Sequence, residues 1–222
     1  MSVKNEKNKI NELRKSEFTP STTAQLGILV LDGSGSMMFP GKTGKPKGEE
    51  VKEAARGFTR RLQKSKFEKD FYVAFVAFDT KVIDVWNGYR KASEVKLDEI
   101  VNPVYLVGGD CTNITLALQK AKEIADRFMV DNSINAKERV VVIILLSDGI
   151  HNTGEPPFKI ANEINSKYTL ATVAYGKDAD TALLKDIAKS KEYYTETDDP
   201  KELRNFFIRS SSLIRMEGVR IE

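Results

Sequence analysis

The stretch "ILVLDGSGSMMFPGKTGKPKG", residues 28 to 48, runs from an apolar segment into an aspartate, two alternating serines and a glycine-lysine-threonine. Two chemistries begin this way. A Walker A loop, G-x-x-x-x-G-K-[ST] directly after a strand, wraps phosphates in its backbone N–H groups. Here the spacing fails by one position: Ser36 stands where the first glycine is needed, and the nearest glycine is Gly35. Pro40 removes a donor from the cradle, and Gly44, Pro46 and Gly48 break the helix that should start at the lysine. The phosphate loop is excluded. The alternative is a metal loop. Ser34 and Ser36, spaced two apart on a tight glycine-containing loop beside Asp32, can turn their hydroxyls to one side. Hard divalent cations such as Mg²⁺ take oxygen ligands of this kind and keep several waters. Asp, Gly and Ser are also ordinary turn residues, so this stretch alone leaves metal loop and plain turn open.

Outward from it, strand-like runs alternate with helical patterns. "LGILVLD" predicts a buried strand, and "EEVKEAARGFTRRLQKS" a helix with Val51, Ala54, Ala55, Phe58 and Leu62 on one face. "FYVAFVAF" is a second strand, and "VIDVW" follows closely enough for a hairpin, which makes it an antiparallel edge. "SEVKLDEIV" predicts a short helix and "TNITLALQKAKEIADRFMV" a long one. The near-continuous apolar run "RVVVIILLSD" fits a strand covered by helices on both faces. "PFKIANEINSK", "TLATVAYG", "ADTALLKDIAKS", "EYYTET" and "DPKELRNFFIRSSSLI" continue the alternation as helix, strand, helix, strand and helix. The fold class is therefore α/β: doubly wound, with a mostly parallel central sheet, one antiparallel edge strand and helices on both faces. Ligands of such sheets bind beyond the carboxyl ends of the strands.

Composition excludes several function classes. The 222 residues carry 35 basic and 32 acidic side chains, a mixed surface without the basic clustering among exposed aromatics that nucleic-acid binding wants. The basic stretches 56 to 69 and 204 to 215 read as amphipathic helices. A single cysteine, Cys111, precludes an internal disulfide and fits a reducing compartment. The polar opening "MSVKNEKNKINELRKSEF" predicts no signal peptide or membrane anchor, so the expected location is cytoplasmic. The expected division is a polar basic arm over 1 to 20, one domain over 21 to 215, and a tail over 216 to 222.

Two further stretches end near the same sheet edge. "LLSDG" puts Asp148 at the end of the most apolar strand, and "GGDCTNITLAL" puts Thr112 just before the long helix. Each residue type is an ordinary helix cap; their joint occurrence favours a site. Asp32, Ser34 and Ser36 in D-x-S-x-S, then Thr112 after a glycine pair, then Asp148 in "SDG", resemble the von Willebrand factor type A (VWA) family with its metal-ion-dependent adhesion site. The resemblance covers roughly residues 23 to 215. It implies that Ser34 and Ser36 ligate a metal through their hydroxyls, that Thr112 does so directly or through water, and that Asp32 and Asp148 act mainly through metal-bound waters. Mg²⁺ is the implied ion, with Mn²⁺ and Ca²⁺ as alternatives, and a partner's carboxylate often completes its coordination. The sequence is similar to bacterial intracellular members associated with tellurium resistance, stress response, Ser/Thr kinases and phosphatases, or AAA-type ATPases. It departs from many relatives in one place: "GGDCT" sets two residues, not one, between the glycines and the threonine.

The implied function is a non-enzymatic, metal-dependent adaptor that binds a partner protein, with neither nucleic acid nor membrane as ligand. The alternatives are a Mg²⁺-dependent phosphohydrolase built on Asp32 and Asp148, and a structural domain with an unused metal site. Near the site, Asp79 reads as a turn former, Asp110 as solvated, His151 as a surface or partner-contact residue and Cys111 as a small buried filler. Met38 and Phe39, if exposed, offer an apolar contact surface.

Overall fold

The apolar run ending at Asp32 becomes the strand β1 (Thr23–Asp32), and all of its residues are buried. It sits inside a sheet revealed by a computed structural model that describes residues 23 to 217. The strands β2 (Phe71–Phe78), β3 (Val82–Asp84), β4 (Arg90–Lys91), β5 (Glu138–Ser147), β6 (Thr169–Tyr175) and β7 (Tyr194–Thr197) complete it. Their order is β3-β2-β1-β5-β6-β7, with β4 also on β2. β1 pairs in parallel with β2, ending with Asp32 opposite Phe78, and with β5, where Leu31 lies opposite Leu146. Pairing continues parallel through β6 and β7, whereas β3 and β4 run antiparallel to β2. The expected arm, residues 1 to 20, lies outside the described residues, as do residues 218 to 222 of the expected tail.

Period-two alternation sorts the strand side chains between two cores. Leu26, Ile28 and Val30 of β1, with Ile143 and Leu145 of β5, face one helical layer. That layer is α3 (Ile114–Val130), α4 (Phe158–Lys167) and α5 (Thr181–Ile187), which contribute Leu118, Ile124, Phe128, Ile164 and Leu184. Leu29, Leu31, Ile144 and Leu146 face the other layer, α1 (Lys47–Gln63) and α6 (Pro200–Glu217), through Phe58, Leu62, Leu203 and Phe207. The basic stretches on α1 and α6 thus belong to amphipathic helices, and α6 runs two residues past the boundary expected at 215.

One expected helix is absent. Over residues 93 to 101 the chain makes two 3-10 turns, Ala92–Glu94 and Leu97–Glu99, with Val95 and Lys96 extended between them. Within this segment only Val95 and Ile100 are buried, with Ala92 just before it. The Gln63 side-chain amide donates to the carbonyls of Ala92 (2.9 Å) and Val95 (2.8 Å) and so ties the segment to α1, while Ala92 also accepts the Val95 N–H at 3.3 Å. The short α2 (Val104–Val107) and the two-residue β4 are too brief to carry a sequence pattern. Among the described residues no helix is long and apolar enough to cross a membrane.

The two long amphipathic helices meet through Phe58 of α1 and Phe207 of α6, both without solvent exposure, in an edge-to-face contact at 6.1 Å. Phe207→Ala should therefore cost about 3–5 kcal/mol in urea unfolding. Phe67→Ala, at a side chain 57% exposed, should change stability by no more than about 0.5 kcal/mol.

Candidate metal-binding crevice at the carboxyl edge of the sheet

Because β1 and β5 are parallel neighbours, Asp32 and Asp148 emerge from the same edge of the sheet, and neither is exposed to solvent. Asp32 organises the loop that follows it. Its Oδ1 accepts the Ser34 N–H at 2.8 Å, and its Oδ2 accepts the Ser147 hydroxyl from the end of β5 at 2.5 Å. Gly33 is required by space: a Cβ there would lie 2.6 Å from Val107 Cγ2 and 2.8 Å from the Pro103 carbonyl oxygen. The loop then makes a 3-10 turn, Gly35–Met38, which holds Ser36 over the crevice. Ser36 Oγ donates to Asp148 Oδ1 at 2.6 Å and lies 3.1 Å from Ser34 Oγ. Since the Ser36 proton goes to the carboxylate, Ser34 is the donor of that pair.

Thr112, 3% exposed, arrives from the other side. The additional residue in "GGDCT" is absorbed by backbone geometry. Gly108 and Gly109 adopt left-handed conformations, φ 113° and 83°, that other residues reach only at a cost. Asp110 and Cys111 then bulge outward, and the chain returns with Thr112 pointing in. Asp110 is solvated as expected, while Cys111 is exposed and corrects the expectation of a buried filler. Asp79 is a turn former, accepting the Lys81 N–H at 2.7 Å, and its other oxygen accepts the Asp110 N–H at 3.2 Å. It thereby anchors the threonine loop as well.

The loop after Asp148 clasps the threonine loop. Asn152 accepts the Thr112 N–H on Oδ1 (2.9 Å) and returns its own N–H to the Thr112 carbonyl (3.2 Å). His151 Nδ1 accepts the Ile114 N–H at 3.2 Å, and its buried Nε2 has no hydrogen-bond partner among the described residues. His151, partly exposed, thus also fastens the loop. Thr115, the other threonine of the motif, donates to the Glu155 carbonyl and is engaged away from the crevice.

The three hydroxyls converge beside Gly149. A Cβ at that position would lie 3.1 Å from Thr112 Oγ1, 3.6 Å from Ser36 Oγ and 3.9 Å from Ser34 Oγ. All five sequence-predicted residues, Asp32, Ser34, Ser36, Thr112 and Asp148, therefore line one crevice. Among the described residues no three His, Cys, Asp or Glu side chains gather to hold an ion; the donors here are hydroxyls backed by two carboxylates. That set suits a hard cation. Burial, and after it the negative charge of Asp148, raises the Asp32 pKa from 3.8 to about 7, and the hydrogen bonds from Ser147 and Ser34 offset this only in part.

Lys47, the first residue of α1, was not legible as part of the site. Its Nζ donates to Asp148 Oδ2 at 2.6 Å, and the side chain is only 9% exposed. Nothing in "GKTGKPKG" separates it from the neighbouring lysines; the one usable signal is its place at the start of a helix.

The family model for the von Willebrand factor type A domain matches residues 28–209. The chain belongs to this family. Comparison with curated proteins returns no match. Among solved structures, this VWA domain is similar to a von Willebrand factor type A protein from Catenulispora acidiphila. The identity there is 20% and the TM-score 0.68, over 86% of this chain and 43% of that one. It is similar at 20% identity and TM-score 0.62 to proximal thread matrix protein 1 from the mussel byssus, solved with a zinc-occupied MIDAS motif, over 87% of this chain and 47% of that one. A third is the vWF domain of the type V pili tip protein Mfa5 from Porphyromonas gingivalis, at 15% identity and TM-score 0.64, over 90% of this chain and 98% of that one. The chain thus spans less than half of the first two structures. At these identities the likeness is one of fold.

The Asp32 shift sets a pH dependence for the metal-free VWA domain. Between pH 3.8 and about 7 the native state holds a proton that the unfolded chain has lost. Raising the pH through that window therefore favours unfolding. Chemical denaturation in EDTA should show stability falling by a few kcal/mol, on the order of the shift, from about pH 4 to pH 7. Asp32→Asn should flatten that slope.

Proposed function

We propose that this VWA domain is a non-enzymatic protein-binding module whose crevice holds a divalent cation and recognises an acidic group on a partner. The observation that carries this reading is the convergence of Ser34, Ser36 and Thr112 on the space beside Gly149, with the buried Asp32 and Asp148 behind them. The three hydroxyls would hold the ion, and the two carboxylates would supply charge to it. Mg²⁺ is the proposed ion, with Mn²⁺ and Ca²⁺ as alternatives. When bound, it supplies an electrophilic point for a carboxylate, because ligands that are largely neutral leave its charge little compensated.

The rim of the crevice suits a protein partner. Met38 and Phe39, just past Ser36, are 57% and 63% exposed, and Ile150, next to Gly149, is 60% exposed. Apolar side chains grouped around a polar centre mark interaction surfaces. The single cysteine and the resemblance to bacterial intracellular members support a cytoplasmic setting in a stress-response or phospho-signalling assembly. The proposed partner is there a kinase, a phosphatase or an AAA-type ATPase. A phosphohydrolase is less well supported. Asp32 has no exposure, and both of its oxygens already accept hydrogen bonds, so it is not presented as a nucleophile.

Affinity capture from the source cell's lysate tests the proposal. A partner should be retained in Mg²⁺ and lost in EDTA and with Asp148→Ala; equal capture in all three would refute metal-dependent recognition. Mg²⁺ should also raise the melting temperature, since a ligand binding only the native state stabilises it. Gly149→Ala, which places a methyl among the three hydroxyls, should weaken Mg²⁺ binding by about tenfold or more. Met38→Ala with Phe39→Ala should leave Mg²⁺ binding intact and reduce partner capture.

A further inference from the structure

Lys47 occupies an unfavourable place twice over. A cation in the first turn of a helix opposes the helix dipole, and a lysine with a side chain only 9% exposed has lost most of its water. The other charged residues of that turn, Glu49 and Glu50, have the sign the dipole prefers. Space adds a further restriction. A Cβ at Gly176 would lie 3.2 Å from Lys47 Nζ, so the ammonium sits in a pocket that fits it closely. Its one hydrogen bond among the described residues is to Asp148 Oδ2, at 2.6 Å. Of the loop's other two lysines, Lys42 pairs with Asp198 and Asp199, 3.3 Å from each, and Lys45 is exposed.

The Lys47–Asp148 bond changes the charge of the crevice. Asp32 and Asp148 together present two negative charges when ionised, and Lys47 cancels one of them. A divalent cation entering such a site leaves a net charge of +1, whereas without Lys47 the sum would be zero. We infer that Lys47 is a charge-setting residue: it lowers the crevice's affinity for the cation and keeps the loaded site electropositive, so that an acidic partner group is attracted to it. This inference rests on the metal-site reading above and adds the determinant of its selectivity. In a crevice shielded from water, a unit charge a few ångströms from the ion alters binding by about tenfold to a hundredfold.

A merely structural Lys47 predicts the opposite sign. If it only held Asp148 in place, its loss would loosen the ligand set and weaken metal binding. Titration calorimetry with MnCl₂ at constant pH distinguishes the two, using wild type, Lys47→Met and Lys47→Gln. Glutamine keeps a hydrogen-bond donor for Asp148 and removes only the charge. Both variants should bind Mn²⁺ more tightly than wild type, by about tenfold or more, and both should be less stable than wild type in EDTA, because Asp148 is then a buried carboxylate without its ion partner. Equal or weaker Mn²⁺ binding by the variants, with wild type binding normally, would overturn the inference and leave the metal-site reading standing. No binding by wild type would overturn both. If Lys47→Met does not fold, Lys47→Gln alone decides.

Discussion

Everything at the crevice follows from the position of β1 between two parallel neighbours. A strand covered by helices on both faces has no room for polar side chains, and from Leu26 to Leu31 β1 has none. After Gln25 its next polar side chain comes at Asp32, where the strand leaves the sheet. The same applies to β5, whose apolar run is followed by Ser147 and Asp148. Parallel register therefore puts two carboxylates side by side at one edge. They are compensated by different means: Asp32 by a backbone amide and a hydroxyl, Asp148 by a hydroxyl and an ammonium.

That division of labour explains the order of the crevice without any one residue dominating it. The serine loop is held by Asp32 and by Asp148 at its two ends. The threonine loop is held by Asp79 from below and by the Asn152 clasp from the side. The two serine hydroxyls are thus aimed by side-chain hydrogen bonds, and Thr112 by the bonds to its backbone. The loop between Phe39 and Lys47 is similarly tied down. The Lys47 N–H reaches the Phe39 carbonyl at 3.0 Å, and Glu50 accepts from Thr43 and from the Tyr175 hydroxyl. The loop is therefore held by the buried Glu50 carboxylate, and its Lys42 and Lys47 pair with Asp198, Asp199 and Asp148.

Sheet, helical layers and the five crevice residues were legible because their signals are repetitive or tightly spaced. β1 and β5 read as near-continuous apolar runs because helices cover both faces of the sheet, and D-x-S-x-S keeps its meaning within a single loop. What escaped reading depends on contacts between distant segments. Lys47 is defined by an aspartate 101 positions away, and Asn152 by Thr112, 40 positions earlier. Residues 93 to 101 look helical by composition, yet the segment is pinned to a distant side chain, Gln63, which donates to the carbonyls of Ala92 and Val95. Cys111 was misplaced because the glycine pair before it turns the added residue outward, and a thiol's burial cannot be told from the chain alone.

The polarity of the sheet also determines how the domain would bear tension. β1 enters at Thr23, at the end of the sheet opposite the crevice, and α6 starts near the crevice edge and runs back toward that end over 18 residues. A pull exerted through the crevice against the chain leading into β1 would therefore act along the strand axis. The rows of hydrogen bonds to β2 and β5 would share that load in shear, all at once, instead of opening one after another from an edge.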